Sequence, residues 1–226
     1  MKGQNQPVVY VMLAGVMAVS VASVYVWGVP LLEKRQSQAN VDTFEQSAVG
    51  VYNTIVDVRD GGQGETGSAT VSFQNIGAQV RSVEINETLD YIDVEIEATS
   101  DIPYPANIWS PVSGRSMQNV SVFSGDYAQG SRDQPGVVIA KPAGTSSQVV
   151  TYRIEFRNLL RETASAQGKI LERVDLVATG ATESAGPTTL RFSNQGTEMD
   201  TGNDAVVTSD GQRYERRRTV IRVVMR

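Results

Sequence analysis

Apolar side chains follow three successive patterns along this chain. From Pro7 to Leu32 they are nearly continuous, with no charged side chain between Lys2 and Glu33. About 20 such residues in helical form cross a bilayer core of roughly 30 Å, so the run predicts a membrane-spanning helix over residues 7–32. Gly28 and Pro30 lie late in it. Proline removes a backbone donor and clashes one turn back, which predicts a kink near residues 28–30. In the second pattern, Val41, Phe44, Ala48, Val51, Tyr52, Ile55 and Val58 recur at helical spacing, with Gln38, Asp42, Glu45, Gln46 and Asn53 opposite them. That is an amphipathic helix over residues 36–59. The glycines of Asp60-Gly61-Gly62-Gln63-Gly64 readily take the left-handed conformation that closes a helix. Residues 4–60 therefore read as one long helix, apolar all round in its first part and amphipathic in its second.

From Gly67 the period changes to alternation. Segments 69–73, 80–85, 92–96, 136–140, 150–156, 174–177, 189–192, 205–207 and 219–224 read as strands, as does the pair Val120 and Val122. The clearest is Val150, Tyr152, Ile154, Phe156 against Thr151, Arg153, Glu155, Arg157. Turn-forming clusters such as Ser110-Pro111-Val112-Ser113-Gly114 and Gly125-Asp126 separate them. Short strands at turn-punctuated spacing predict an antiparallel β-sandwich head over residues 67–226. Residues 159–166 are open between a short helix and a loop. The fold class expected is mainly β with one long N-terminal α-helix.

Composition narrows the chemistry. The chain has no cysteine and no histidine. This removes disulfides, thiolate sites, the usual zinc ligand and every histidine-containing triad. No P-loop, dinucleotide fingerprint or nucleophile elbow is present, and the expectation is a protein that is not an enzyme and takes no cofactor. A net charge of −5 argues against nucleic acid as a partner. Glu84, Glu87, Asp90, Asp93, Glu95, Glu97 and Asp101 form an acidic stretch. Strand alternation already explains Asp93, Glu95 and Glu97 as a solvent face. Asp200, Asn203, Asp204, Asp210 and Gly211 miss the EF-hand spacing and read as turn formers, so no metal site is assigned. Arg213, Arg216, Arg217, Arg218, Arg222 and Arg226 are interleaved with Val220, Ile221, Val223 and Val224, which predicts a final strand. Opposite charges favour cross-strand neighbours, and the acidic stretch is the expected partner. Asn86-Glu87-Thr88 and Asn119-Val120-Ser121 are N-glycosylation sequons, usable at Asn86 and Asn119 if the head is exported.

The N-terminal flank indicates which kind of membrane segment this is. A secretory signal has an apolar run of about 7–15 residues before a small-residue cleavage site. Here the run continues past Ala18, Ser20 and Ala22 to Leu32. Lys2-Gly3-Gln4, directly before the hydrophobic segment, resembles the class III signal of archaeal type IV pilin-like proteins, the pilin and archaellin superfamily. The place where many bacterial pilins carry a glutamate is Val8 in this chain. The resemblance implies that a prepilin peptidase cuts between Gly3 and Gln4, removing residues 1–3. The helix would stay attached, either in the membrane or in a filament core, with a β-rich head outside the cell. Charge alone does not fix orientation: Lys2 lies on one side, and Glu33, Lys34 and Arg35 on the other. The positive-inside bias slightly favours a cytoplasmic C-terminal side, whereas the resemblance implies an exported one. Ala14, Ala18 and Ala22 share one helix face, where small side chains permit close helix packing. The function expected is a structural subunit, major or minor, of a cell-surface filament, partnered by copies of itself or other pilin-like subunits. The alternative is a membrane-anchored β-sandwich module that binds surface-layer or other envelope protein.

Overall fold

The computed structural model describes residues 5–72, 78–98, 104–105, 107–113, 128–129, 134–143, 148–162, 168–202, 205–208 and 211–226. Two compact units are present, Met1–Asp42 and Thr43–Arg226. Helix α1 (Asn5–Asp60) supplies the described part of the first and the opening turns of the second, and it remains helical through Pro30. The head unit thus begins inside the helix, some twenty residues before the first strand.

Within the head unit the helical stripe is buried as its periodicity requires. Phe44, Ala48, Val51, Tyr52, Ile55 and Val58 are at most 3% exposed. Their burial against the sheets holds this segment far more strongly than helix propensity would. Tyr52 stacks on Phe156, with ring centroids 6.1 Å apart. Gly136 and Gly67 let the helix approach the strands. A Cβ on Gly136 would meet Tyr52 Cε2 at 3.1 Å, and one on Gly67 would meet Val58 Cγ2 at 2.7 Å. The helix ends at Asp60, where Gly61 N donates to Asp57 O at 2.9 Å and Gly62 takes φ 87°. Asn194 Nδ2 reaches the freed carbonyls of Val58 and Arg59 at 3.2 and 3.1 Å. A sheet residue thereby caps the helix C-terminus.

Among the described residues the head has fourteen strands. They are β1 (Thr66–Val71), β2 (Ala78–Asn86), β3 (Tyr91–Ala98), β4 (Ser110–Ser113), β5 (Ala128–Gln129), β6 (Gly136–Pro142) and β7 (Val149–Phe156). Then follow β8 (Leu159–Glu162), β9 (Lys169–Ala178), β10 (Glu183–Ser184), β11 (Thr188–Asp200), β12 (Val206–Val207), β13 (Arg213–Tyr214) and β14 (Arg216–Met225). One six-stranded sheet has the order β1-β11-β14-β9-β8-β5, and the other β10-β2-β3-β7-β6-β4. Each buries one apolar face. Leu190, Phe192, Ile221, Val223, Val174 and Leu176 line it in the first sheet, and Val83, Ile92, Val94, Ile96, Val150, Tyr152 and Ile154 in the second.

Some details depart from the sequence expectation. Most pairings are antiparallel, but β14 runs parallel to β9 and β5 to β8, so the first sheet is mixed. Residues 159–162 are strand β8. Ser110-Pro111-Val112-Ser113 is the edge strand β4, a place where proline costs no sheet hydrogen bond. Val120, Val122, Gly125, Asp126 and the rest of the 159–166 segment lie outside the described residues.

Candidate functional site

Val9–Leu32 forms 24 helical residues with a mean hydropathy of 2.1, and none of it is buried. At 1.5 Å per residue it is about 36 Å long, enough to cross a hydrocarbon core of roughly 30 Å. Its two serine hydroxyls are satisfied within the helix. Ser20 Oγ donates to Val16 O and Ser23 Oγ to Val19 O, both at 2.8 Å, so neither presents an unpaired donor to apolar surroundings. Tyr10 stands near one end and Tyr25 and Trp27 near the other, all more than two-thirds exposed. Their spacing of about 22–26 Å matches the aromatic belts at the two interfaces of a bilayer. Ala14, Ala18 and Ala22 are exposed and share one face, and Gly15 has open space around its Cα. Gly3 and Gln4, the expected cleavage site, lie outside the described residues.

The head is bound by ion pairs that link strands distant in sequence. In the turn between β2 and β3, Asp90 takes φ 53° and its side chain is 6% exposed. Its Oδ2 accepts from Arg173 Nε at 2.7 Å and also from Arg173 Nη2, and its Oδ1 accepts from Leu176 N at 2.9 Å. Its carbonyl accepts from Phe156 N at 2.9 Å. Asp90 therefore pins the second sheet to β9 of the first. Burial pushes its carboxyl upward, against the opposing pull of the Arg173 guanidinium. Asp90 was legible only as one more acid of the Glu84 to Asp101 stretch. The overlooked signal is an aspartate closing a turn between two strands, because aspartate tolerates left-handed backbone.

The arginine-rich strand and the acidic strand are not neighbours, contrary to expectation. β14 lies between β11 and β9, and β3 between β2 and β7. Arg216 binds Asp200 at 2.8 Å, and Arg218 binds Asp175 at 2.7 Å and Glu198 at 2.9 Å. Arg217 binds Glu172. On β3, Asp93 receives both Nε and Nη2 of Arg153 at 2.8 Å, and Glu95 and Glu97 lie 3.6 and 3.7 Å from Arg81. Burial disfavours charge on Arg153, but the Asp93 hydrogen bonds and charge outweigh it and its pKa is raised. The Arg153 guanidinium also stacks on Tyr91, 3.7 Å from the ring centroid, and faces Trp109 at 4.9 Å. Nearer the helix, Tyr104 Oη donates to Glu45 Oε1, and burial raises the Tyr104 and Tyr152 phenols.

The other candidate residues have assigned places or fall outside the described part. Asp200 is engaged by Arg216 and Arg218; Asn203, Asp204, Asp210, Asp101 and Asn119 are outside it. Among the described residues no three acidic side chains converge as a metal site. Asn86 is half-buried at the end of β2, where its Nδ2 donates to Tyr91 Oη at 3.2 Å and its Oδ1 accepts from Leu89 N at 2.9 Å.

Compared with known proteins, the chain matches no family model, no curated protein and no solved structure.

Proposed function

We propose that this chain is a pilin-like structural subunit of a cell-surface filament, inserted in the membrane through Val9–Leu32 before assembly. One observation carries the reading: a 24-residue apolar helix with none of its residues buried, on a chain whose head has an apolar core of its own. Such a surface is stable only against lipid or against other apolar helices. Serine hydroxyls closed onto the helix backbone suit either setting. The stripe Ala14, Ala18, Ala22 supports the second, because helix association in apolar surroundings depends on close packing rather than on hydrophobic burial. The head is exported in this reading. A prepilin peptidase cuts between Gly3 and Gln4, and residues 1–3 are lost.

Two measurements test the reading. Mass spectrometry of the native protein should show a chain starting at Gln4; a start near Val21 or Ala22 would establish a secretory signal and end the pilin assignment. Ala18→Leu should leave membrane insertion and head folding intact while lowering filament yield in electron micrographs. If wild-type cells carry the protein on their surface without any filament containing it, the anchored-module function takes over.

A further inference from the structure

Each sheet's outer face carries charge that no described residue neutralises, positive on the first sheet and negative on the second. On the first sheet, Arg191 of β11 and Arg222 of β14 project from neighbouring strands in diagonal register, Arg191 opposite Val224 and Ser193 opposite Arg222. Diagonal neighbours lie about 7–8 Å apart, within joint reach of two guanidinium groups. Neither arginine has an acidic partner among the described residues, unlike Arg216, Arg217 and Arg218 on the same strand. With Thr66, Ser68, Ser193 and Val224 they line a shallow depression of about 480 Å³. Val177, next to Arg222 on β9, is 43% exposed and extends the patch with an apolar rim.

On the second sheet, Glu183 of β10 stands opposite Glu84 of β2, and Glu84 stands opposite Asp93 of β3. Three carboxylates thus share one row across three adjacent strands. Asp93 is held by Arg153, but neither Glu84 nor Glu183 has a basic partner among the described residues. Like charges directly opposite are unfavourable in a sheet, so this row lowers the stability of an isolated head.

We propose that the Arg191 and Arg222 face of one copy docks on the Glu84 and Glu183 row of the next. The occupant is a second copy of this chain because the same head carries both halves of the complement. Arginine forks suit carboxylates bidentately, as Arg153 and Asp93 already show within the head. The two patches lie on the outward faces of different sheets, so the contact joins unlike surfaces. Such a contact does not pair two copies face to face; it leaves each copy with a free patch for the next and propagates. This head contact rests on the filament reading for its setting and adds to helix packing a specific, salt-sensitive register between heads.

The chain lacks cysteine, so the test can be made on the full-length protein in its native membrane with Arg222→Cys and Glu84→Cys in one chain. Closure within a molecule is blocked, because packed sheets stand about 10 Å apart and a disulfide needs Cα atoms within about 7 Å. Oxidation should give a ladder of linked species above the dimer, and neither single variant should. Filaments without a ladder would overturn the head contact while leaving the filament reading; a ladder without filaments would do the reverse. Dimers from Arg222→Cys alone would show that like faces meet and would also overturn it. In a second arm, Arg191→Glu with Arg222→Glu should weaken self-association of the detergent-solubilised chain at least about tenfold. Adding Glu84→Lys with Glu183→Lys should restore it, with near-ultraviolet circular dichroism confirming the fold of each variant. Reversal variants that associate like wild type would overturn the proposal.

Discussion

Replacing Asp90 with alanine should destabilise the head more than any other single change to its polar groups. The substitution removes a buried carboxylate that accepts hydrogen bonds from Arg173 and from Leu176 N. Hydrogen bonds to a charged group contribute about 1.5–3 kcal/mol, and leaving the Leu176 amide buried without an acceptor costs about 1–3 kcal/mol. Alanine at φ 53° adds about 1 kcal/mol, because it keeps the Cβ crowding of aspartate but lacks the short polar side chain that makes left-handed backbone tolerable. Arg173 offsets part of this, since its Nε still has Asp175 at 3.4 Å. Breaking a buried pair by removing one partner typically costs about 3–5 kcal/mol, and that is the expected loss here. Asp90→Asn keeps an acceptor and a side chain suited to left-handed backbone, so it should cost well under half as much. Asp90→Gly should be no worse than Asp90→Ala, because glycine relieves the backbone term. The assay is denaturant unfolding of the full chain in detergent, read by the fluorescence of Trp109 in a Trp27→Phe background. An unchanged dependence on denaturant would show that the same surface unfolds in each variant. If Asp90→Ala lies within about 1 kcal/mol of wild type, Asp90 is not the restraint between the sheets that its hydrogen bonds imply.

Two further outcomes follow from the packing and the charges. Gly67→Ala places a Cβ 2.7 Å from Val58 Cγ2 and 2.8 Å from Thr54 Cγ2; overpacking of this kind should cost about 1–3 kcal/mol in the same unfolding assay, and a neutral result would mean that the helix end shifts freely on β1. Glu155 has its pKa raised chiefly by burial, against the pull of Arg153. Its folded pKa lies above the unfolded value of about 4.3, so its contribution is fully present below that pH and is lost as pH rises through the folded pKa. Glu155→Gln should therefore gain stability relative to wild type as the pH is raised from about 4, measured as the difference between the two denaturation midpoints; a constant difference would refute the assignment.

The elements read most easily from sequence were those whose burial is one-sided. β3 and β7 each bury one face and pair with each other, so their alternation survived in the sequence intact. The stripe from Phe44 to Val58 was legible for the same reason at helical period. β6 was harder, because Val137, Val138, Ile139 and Ala140 are all buried and leave no alternation. β4 looked like a turn because its serines and proline are turn formers; only its edge position makes them acceptable in a strand. Strand order was beyond reach. The arginines of β14 indicate that acids lie nearby, but Asp175 and Glu198 satisfy that as well as Glu95 does. What chooses between them is the parallel placement of β14 beside β9, which depends on the whole chain path. For the candidate site, the apolar span and the stripe of small residues could be read directly, whereas the charge left over on each sheet could not, since it depends on which pairs form.

The register shift between Asn194 and Gly196 divides the β11–β14 ribbon into two parts that respond oppositely to concentrated salt. Below the shift, Leu190, Phe192, Ile221 and Val223 are withdrawn from water, and salts such as sulfate that are excluded from protein surfaces tighten that part. Above it, β11 from Gln195 to Met199 is largely exposed, and the ribbon is tied by Arg216 and Arg218 to Asp200 and Glu198. Mobile ions, with a Debye length of about 3 Å at 1 M salt, screen the tie to exposed Glu198 most and the ties to partly buried Asp200 less. A brine-rich environment would therefore loosen the β11 edge of this ribbon above the shift while compacting its base, with β14 held along both parts by its pairing to β9.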